Sequence, residues 1–216
     1  MPLFRRAICV ALALAALDAF GTFSAPRPAL ADNATAALVA KPVSLPDMAL
    51  GSAKAPVTIV EYSSMTCPHC ADFTENVFPM LQSKYIDTGK VRFVSREFPL
   101  DIKAAGASML ARCAANGDAQ KYFDAVAMLF KQQPDLIEHT ADTITAVGGK
   151  FGMSSEAVET CEKDNALLDK IKADQDFAYD KLKVDATPTF FINGDRVKGS
   201  MSFEELEKQL APLLKR

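Results

Sequence analysis

The chain has no excess of positive charge, no apolar stretch long enough to cross a bilayer, no glycine-rich phosphate loop and only two histidines. Each shortage closes a class of function. Lysine and arginine number 24 against 27 aspartates and glutamates, a formal net charge of −3, and no basic cluster with interleaved aromatics occurs, so nucleic-acid binding is discarded. The apolar run that starts at Ala7 is broken at Asp18, well short of the roughly 20 residues a spanning helix needs. No Gly-x-Gly-x-x-Gly pattern follows a strand-like run, so neither a nicotinamide nor a flavin, and no other cofactor, is expected. Repeats and low-complexity segments are also missing. What is present, 216 residues with 49% hydrophobic and 24% charged composition, suffices for one domain with a sizeable core, or one domain carrying an insertion.

Arg5 and Arg6, the apolar stretch Ala7 to Ala16 and the small-residue site Ala29-Leu30-Ala31 read as a secretory signal over residues 1–31. Its removal takes three arginines and one aspartate and leaves a more acidic chain. Cys9 leaves with it. The remaining cysteines are Cys67, Cys70, Cys113 and Cys161, an even number, as an oxidising compartment favours. Residues 32–50, rich in alanine, proline and small polar types, are expected to be a flexible leader, too short for a dimerisation domain.

The first strand is expected at Val57–Glu61, followed by a helix in which Phe73, Val77, Met80 or Leu81, and Tyr85 recur at helical spacing. A second strand is expected at Val91–Arg96 and a third at Thr189–Ile192, with Asn193-Gly194 turning a hairpin into Arg196-Val197-Lys198. Ser202 and Glu205 form a capping box that opens a last helix. Between residues 100 and 184 only helical patterns occur. The expectation is therefore an α/β fold, a central mixed sheet flanked by helices, assembled from residues 51–99 and 185–216 around an inserted all-helical subdomain.

The chemistry is carried by Cys67-Pro68-His69-Cys70, where the first strand hands over to a helix. Pro68 suits the first helical position, where its missing N–H loses nothing, and this puts Cys67 at the N-cap. There the backbone N–H groups of His69 and Cys70, the helix dipole and a protonated His69 all favour thiolate over thiol, so Cys67 is the candidate reactive sulfur. Cys70, one turn further in, is the candidate resolving thiol. A Cys-x-x-Cys pair is also half of many zinc sites, but Cys113 and Cys161 do not supply a matching half-site, and no metal is expected.

Glu61 lies six residues before Cys67 on the strand face shared with Ile59. It is either a carboxylate buried beneath the helix, able to exchange a proton with Cys70, or an ordinary strand glutamate. Thr187-Pro188 opens the third strand with either a cis bond or, as X-Pro statistics alone favour, a trans one. Cys113 and Cys161 read as buried small hydrophobes or as a structural disulfide; export favours the disulfide. His139 reads as a solvated helix-end residue without a role.

The Cys67-Pro68-His69-Cys70 turn, Glu61 before it, the helical block, and Thr187-Pro188-Thr189-Phe190-Phe191-Ile192-Asn193-Gly194 together resemble the DsbA family over residues 50–214. That resemblance implies a thioredoxin-like fold and a periplasmic disulfide-forming oxidase. It further implies a cis Thr187-Pro188 packed on Cys67, with the Thr187 backbone pairing with an extended client. The implied partners are unfolded cysteine-containing clients and a DsbB-like membrane quinone reductase as reoxidant; the short leader, for its part, favours a monomer. Two departures bear on client preference: threonine rather than valine precedes the proline, and the insertion carries its own cysteine pair. Rival readings are a disulfide isomerase or reductase, and a client-binding chaperone whose thiols are incidental.

Overall fold

The computed structural model describes residues 33–215, so the signal reading over residues 1–31 lies outside the described residues. Five strands, β1 (Met48–Leu50), β2 (Val57–Ser63), β3 (Val91–Glu97), β4 (Thr189–Ile192) and β5 (Asp195–Lys198), form one mixed sheet in the order β1-β3-β2-β4-β5. Only β2 and β3 run parallel; the other pairs are antiparallel. The central strand β2 follows from its β-branched and aromatic residues, which occupy both faces because both are covered. Val57 and Ile59 point to one layer, with Phe73, Phe93 and Phe190; Val60 and Tyr62 point to the other, with Val94 and Phe191.

On the first face lie α2 (Pro68–Asp72) and α3 (Phe78–Leu81), joined by a π-helical turn at Phe73–Val77 and followed by another at Gln82–Ile86. Pro79 accounts for the first π turn. A proline clashes with the carbonyl four residues back and cannot donate to it. The chain widens, and the Phe78 N–H reaches Phe73 O instead. Phe73, Val77 and Leu81 are buried, whereas Met80 faces solvent, which settles the alternative in favour of Leu81. The Phe73 ring sits 4.7 Å from that of Phe190 and 6.1 Å from that of Phe93, pinning the helix to the sheet.

Between β3 and β4 the elements are α4 (Ile102–Ala115), α5 (Ala119–Lys131), α6 (Gln133–Glu138), α7 (Thr140–Lys150), α8 (Ser155–Glu162) and α9 (Asn165–Leu182). The block expected to end at residue 184 is not wholly separate from the sheet. The C-terminal half of α9 lays Ala178 and Leu182 on the second face, against Val60, Tyr62 and Phe191. Asn193 and Gly194 both take positive φ, as the two-residue hairpin between β4 and β5 requires. The Ser202/Glu205 capping box opens α10 (Phe203–Leu214), which returns Phe203, Leu206 and Leu210 to the first face. No helix among the described residues is long and apolar enough to cross a membrane.

The reading of residues 32–50 as a flexible leader is corrected. The segment contains α1 (Asn33–Val39) and the edge strand β1. Arg96 donates to Asp47 (2.9 Å) and Val39 O (3.0 Å), Arg112 donates to Pro46 O (2.7 Å), and the Ser44 N–H donates to Asp174 (2.6 Å). Buried guanidinium groups require such acceptors, and the segment supplies them. Composition showed only small residues; the donors that order them lie far along the chain.

Candidate active site

Cys67 occupies the N-cap of α2 with extended backbone (φ −83°, ψ 120°), directly before Pro68. The tertiary fold then brings Thr187, 120 residues away, to its sulfur: Cys67 Sγ lies 3.2 Å from Thr187 O. The Thr187-Pro188 bond is cis. The thiol of Cys67 is drawn down to about 5. Hydrogen bonding from Cys70 is the main cause; burial opposes it, and the Thr187 side chain and the N–H groups of Cys70 and His69 assist. The Thr187 hydroxyl is buried with no other partner, so it is available to the sulfur once the proton has left. His69 is exposed on the rim.

Cys70 is fully buried, and its thiol is pushed far up. Burial is the principal cause, followed by its bond to Cys67 and the charge of Glu61. One sulfur is therefore held as an anion and the other as a thiol, in the same turn. Glu61, 5% exposed, points under the helix from the middle of β2, between Ser95 on β3 and Phe190 on β4. Burial pushes its carboxyl up to about 8, with Ser63 drawing it down in part and Cys67 adding to the rise. Its Oε1 has no hydrogen-bond partner of normal geometry. It borders a cavity of about 200 Å³ whose other walls include Ser63, Phe78, Ser95 and Tyr122. The same cavity reaches Glu97, which Arg112 holds in a two-pronged ion pair (Nη2–Oε2 2.7 Å) and Tyr122 caps with its hydroxyl (2.8 Å).

Cys113 on α4 and Cys161 on α8 form a disulfide, S–S 2.07 Å, that staples two helices of the insertion. It is not part of the dithiol turn. His139 is exposed between α6 and α7.

Several residues that shape the turn gave no signal in the sequence. The Thr66 hydroxyl donates to Asp101 (2.7 Å), which also N-caps α4. Ser64 Oγ accepts the Leu100 N–H (3.2 Å). From α6, the buried carboxamide of Gln133 donates to Met65 O (2.8 Å) and Cys67 O (3.0 Å). Each contact joins segments separated by tens of residues, so no local pattern announces it.

Comparison with known proteins agrees with this geometry. A family model described as Thioredoxin matches residues 44–211. A putative protein-disulfide oxidoreductase of Rickettsia bellii is 35% identical over 150 residues, covering 68% of this chain and 57% of the relative. The chain thus spans little more than half the length of that relative. Disulfide bond formation protein D of Bacillus subtilis is 28% identical over 171 residues, with 77% of this chain and 76% of that protein covered. The crystal structure of Wolbachia pipientis alpha-DsbA1 superposes with a TM-score of 0.69 at 31% identity, covering 79% of this chain and 92% of that one. With most of the folded chain matched, and a solved relative covered nearly end to end, the chain belongs to the DsbA family of thioredoxin-fold proteins.

Proposed function

We propose that this chain is an exported thiol:disulfide oxidoreductase that donates the Cys67–Cys70 disulfide to cysteine-containing clients in the periplasm. The observation that carries the reading is the opposed character of two sulfurs in one helical turn: Cys67 held near 5, Cys70 held far up as a thiol. A bridge that opens to a stabilised thiolate is a strong oxidant, since each unit by which the Cys67 pKa falls favours the dithiol by about 30 mV.

In the forward direction a client thiolate attacks Cys67 Sγ of the oxidised enzyme, the Cys67–Cys70 bond breaks, and the electron pair leaves on Cys70. Glu61, protonated at neutral pH, is the proton donor to Cys70, which cannot remain an anion in its apolar surroundings. A second client thiolate then attacks the client sulfur of the mixed disulfide and expels Cys67 as its stable thiolate. The client has lost two electrons and the enzyme holds them as a dithiol. Pro68 preforms the helix start, and His69 lies exposed where a client arrives. The Thr187 backbone beside Pro188 offers main-chain pairing to an extended client, which is tolerant of sequence.

Reoxidation is assigned to a DsbB-like membrane quinone reductase docking over Cys67. The enzyme acts as a monomer, which fits residues 33–50 folding onto the sheet instead of forming a dimerisation module. The Cys113–Cys161 bridge in the insertion fits an oxidising compartment.

The test is a pH titration of thiolate absorbance in the reduced protein, paired with equilibration against glutathione buffers. A Cys67 midpoint near 5 and a strongly oxidising potential are expected. An ordinary thiol pKa with a reducing potential would overturn the oxidase reading, and full activity of Cys67→Ser would leave a chaperone with incidental thiols.

A further inference from the structure

Gln133 is only 8% exposed, although its side chain carries four hydrogen-bonding sites. Both hydrogens of its Nε2 are spent on backbone carbonyls of the segment that leads into the dithiol turn, Met65 O at 2.8 Å and Cys67 O at 3.0 Å. The two carbonyls differ in what else they accept. Cys67 O also takes the N–H groups of Cys70 (3.1 Å) and Ala71 (3.2 Å), the first bonds of α2. Met65 O has no other donor among the described residues. Gln133 therefore holds the two peptide planes that bracket Thr66 and Cys67, and with them the direction in which the Cys67 side chain leaves the backbone.

The residue is itself firmly placed. It opens α6, Leu136 one turn on is fully buried, and the end of α6 is tied to α4 where Lys103 Nζ donates to Ile137 O at 2.6 Å. Other bonds fix the same segment from the opposite side: Thr66 to Asp101, the Leu100 N–H to Ser64, and the Cys67 N–H to Ser64 O. Gln133 is the contact that comes from deep in the inserted helices.

We propose that Gln133 is a positioning residue for the redox centre: its carboxamide, reaching across from the helical insertion, holds the carbonyls of Met65 and Cys67 so that the Cys67 sulfur is held at the N-cap of α2, against the Thr187 strand end. The insertion thereby sets the reactivity of the dithiol as well as flanking it. The donor hydrogens also place positive charge at the carbonyl end of the Cys67 peptide, on the side that favours an anionic sulfur. This inference rests on the oxidoreductase reading of Cys67.

The test compares the reduced full chain with three variants. Gln133→Met keeps the shape and removes both donors. Gln133→Glu also keeps the shape but turns acceptors toward the two carbonyls. Leu136→Ala opens a cavity in α6 while leaving Gln133 its donors. For each, thiolate absorbance is followed against pH, the equilibrium with glutathione is measured, and thermal unfolding is recorded. Gln133→Met is expected to raise the Cys67 pKa by about half a unit to one unit and to weaken oxidation of glutathione by about three- to tenfold. Gln133→Glu should move both further in the same direction. Leu136→Ala should lower the unfolding temperature and leave both redox readouts unchanged.

A fall in stability with no redox change in either Gln133 variant, loss of folding in both, or an equal redox shift in Leu136→Ala would reduce Gln133 to a structural role and overturn the proposal. The parent protein separates this failure from that of the oxidase reading. If its own Cys67 pKa is ordinary, the oxidase reading falls; if it is low and Gln133→Met leaves it low, only the positioning role falls.

Discussion

Replacing Glu61 with glutamine should stabilise the protein at neutral pH, even though it removes an ionisable group from beneath the active turn. In the fold the carboxyl is buried, with Oε1 unpartnered, and holds its proton up to about pH 8; in the unfolded chain it gives that proton up near 4.3. Between those two values the unfolded state binds fewer protons than the native one, so this group makes stability fall with rising pH, at about 1.4 kcal/mol per pH unit. By pH 7 the accumulated loss is about 4 kcal/mol, a large fraction of the stability of an ordinary domain. Glutamine keeps the shape and never titrates, so it recovers that amount at pH 7 and nothing at pH 4.

Cys67 gives the reduced protein an opposing slope. Its thiol is lowered to about 5 in the fold and lies near 8.5 when unfolded, so its stabilisation grows from about pH 5 and is complete only above about pH 8.5. In the reduced parent these two contributions largely cancel between pH 5 and 8. Reduced Glu61→Gln should instead become steadily more stable over that range. The assay is urea unfolding of both reduced proteins at pH 4, 5.5, 7 and 8. Parallel pH profiles for the two, or a variant less stable than the parent at pH 7, would refute the buried neutral carboxyl and with it the proton-donor role. The same substitution should slow release of Cys70 in stopped-flow reduction, most visibly below pH 8, where the parent carboxyl still carries its proton.

Three further outcomes are expected. Cys70→Ala should accumulate a mixed disulfide when its Cys67 thiolate attacks a disulfide-bonded client and releases one client thiolate, visible as a gel shift reversed by reductant, whereas Cys67→Ser should form none. Arg112→Met leaves Glu97 as a buried, unpaired carboxylate and should cost about 3–5 kcal/mol in urea unfolding; adding Glu97→Leu should return most of it. Opening the insertion staple with Cys113→Ala and Cys161→Ala frees a 48-residue separation and should cost about 2–4 kcal/mol, with the mixed-disulfide chemistry of Cys67 retained.

The dithiol turn was legible because its rules act within a few residues: an extended run, an N-cap position, a proline at the first helical position and a second cysteine one turn on. The alternation that put Glu61 with Ile59, the Asn193-Gly194 hairpin and the Ser202/Glu205 box are equally local. The helix after Cys67 was harder to register. Pro79 introduces a π turn, and Met80 and Leu81 could be told apart only by which one meets the sheet. The order in residues 33–50 and the packing of the end of α9 on the sheet were not legible for a related reason: what places them are arginines and a sheet face elsewhere in the chain.

By itself the sequence determined where two thiols meet the start of a helix, which strands surround them and where the helical block interrupts the sheet. Only the tertiary structure decided that Cys113 bonds Cys161, that Arg112 pairs with Glu97, and that Gln133 grips the segment before Cys67. Backbone periodicity and capping are written in neighbouring residues. A buried hydrogen bond or ion pair between distant segments has no such signature, since it exists only once packing has excluded water from both partners.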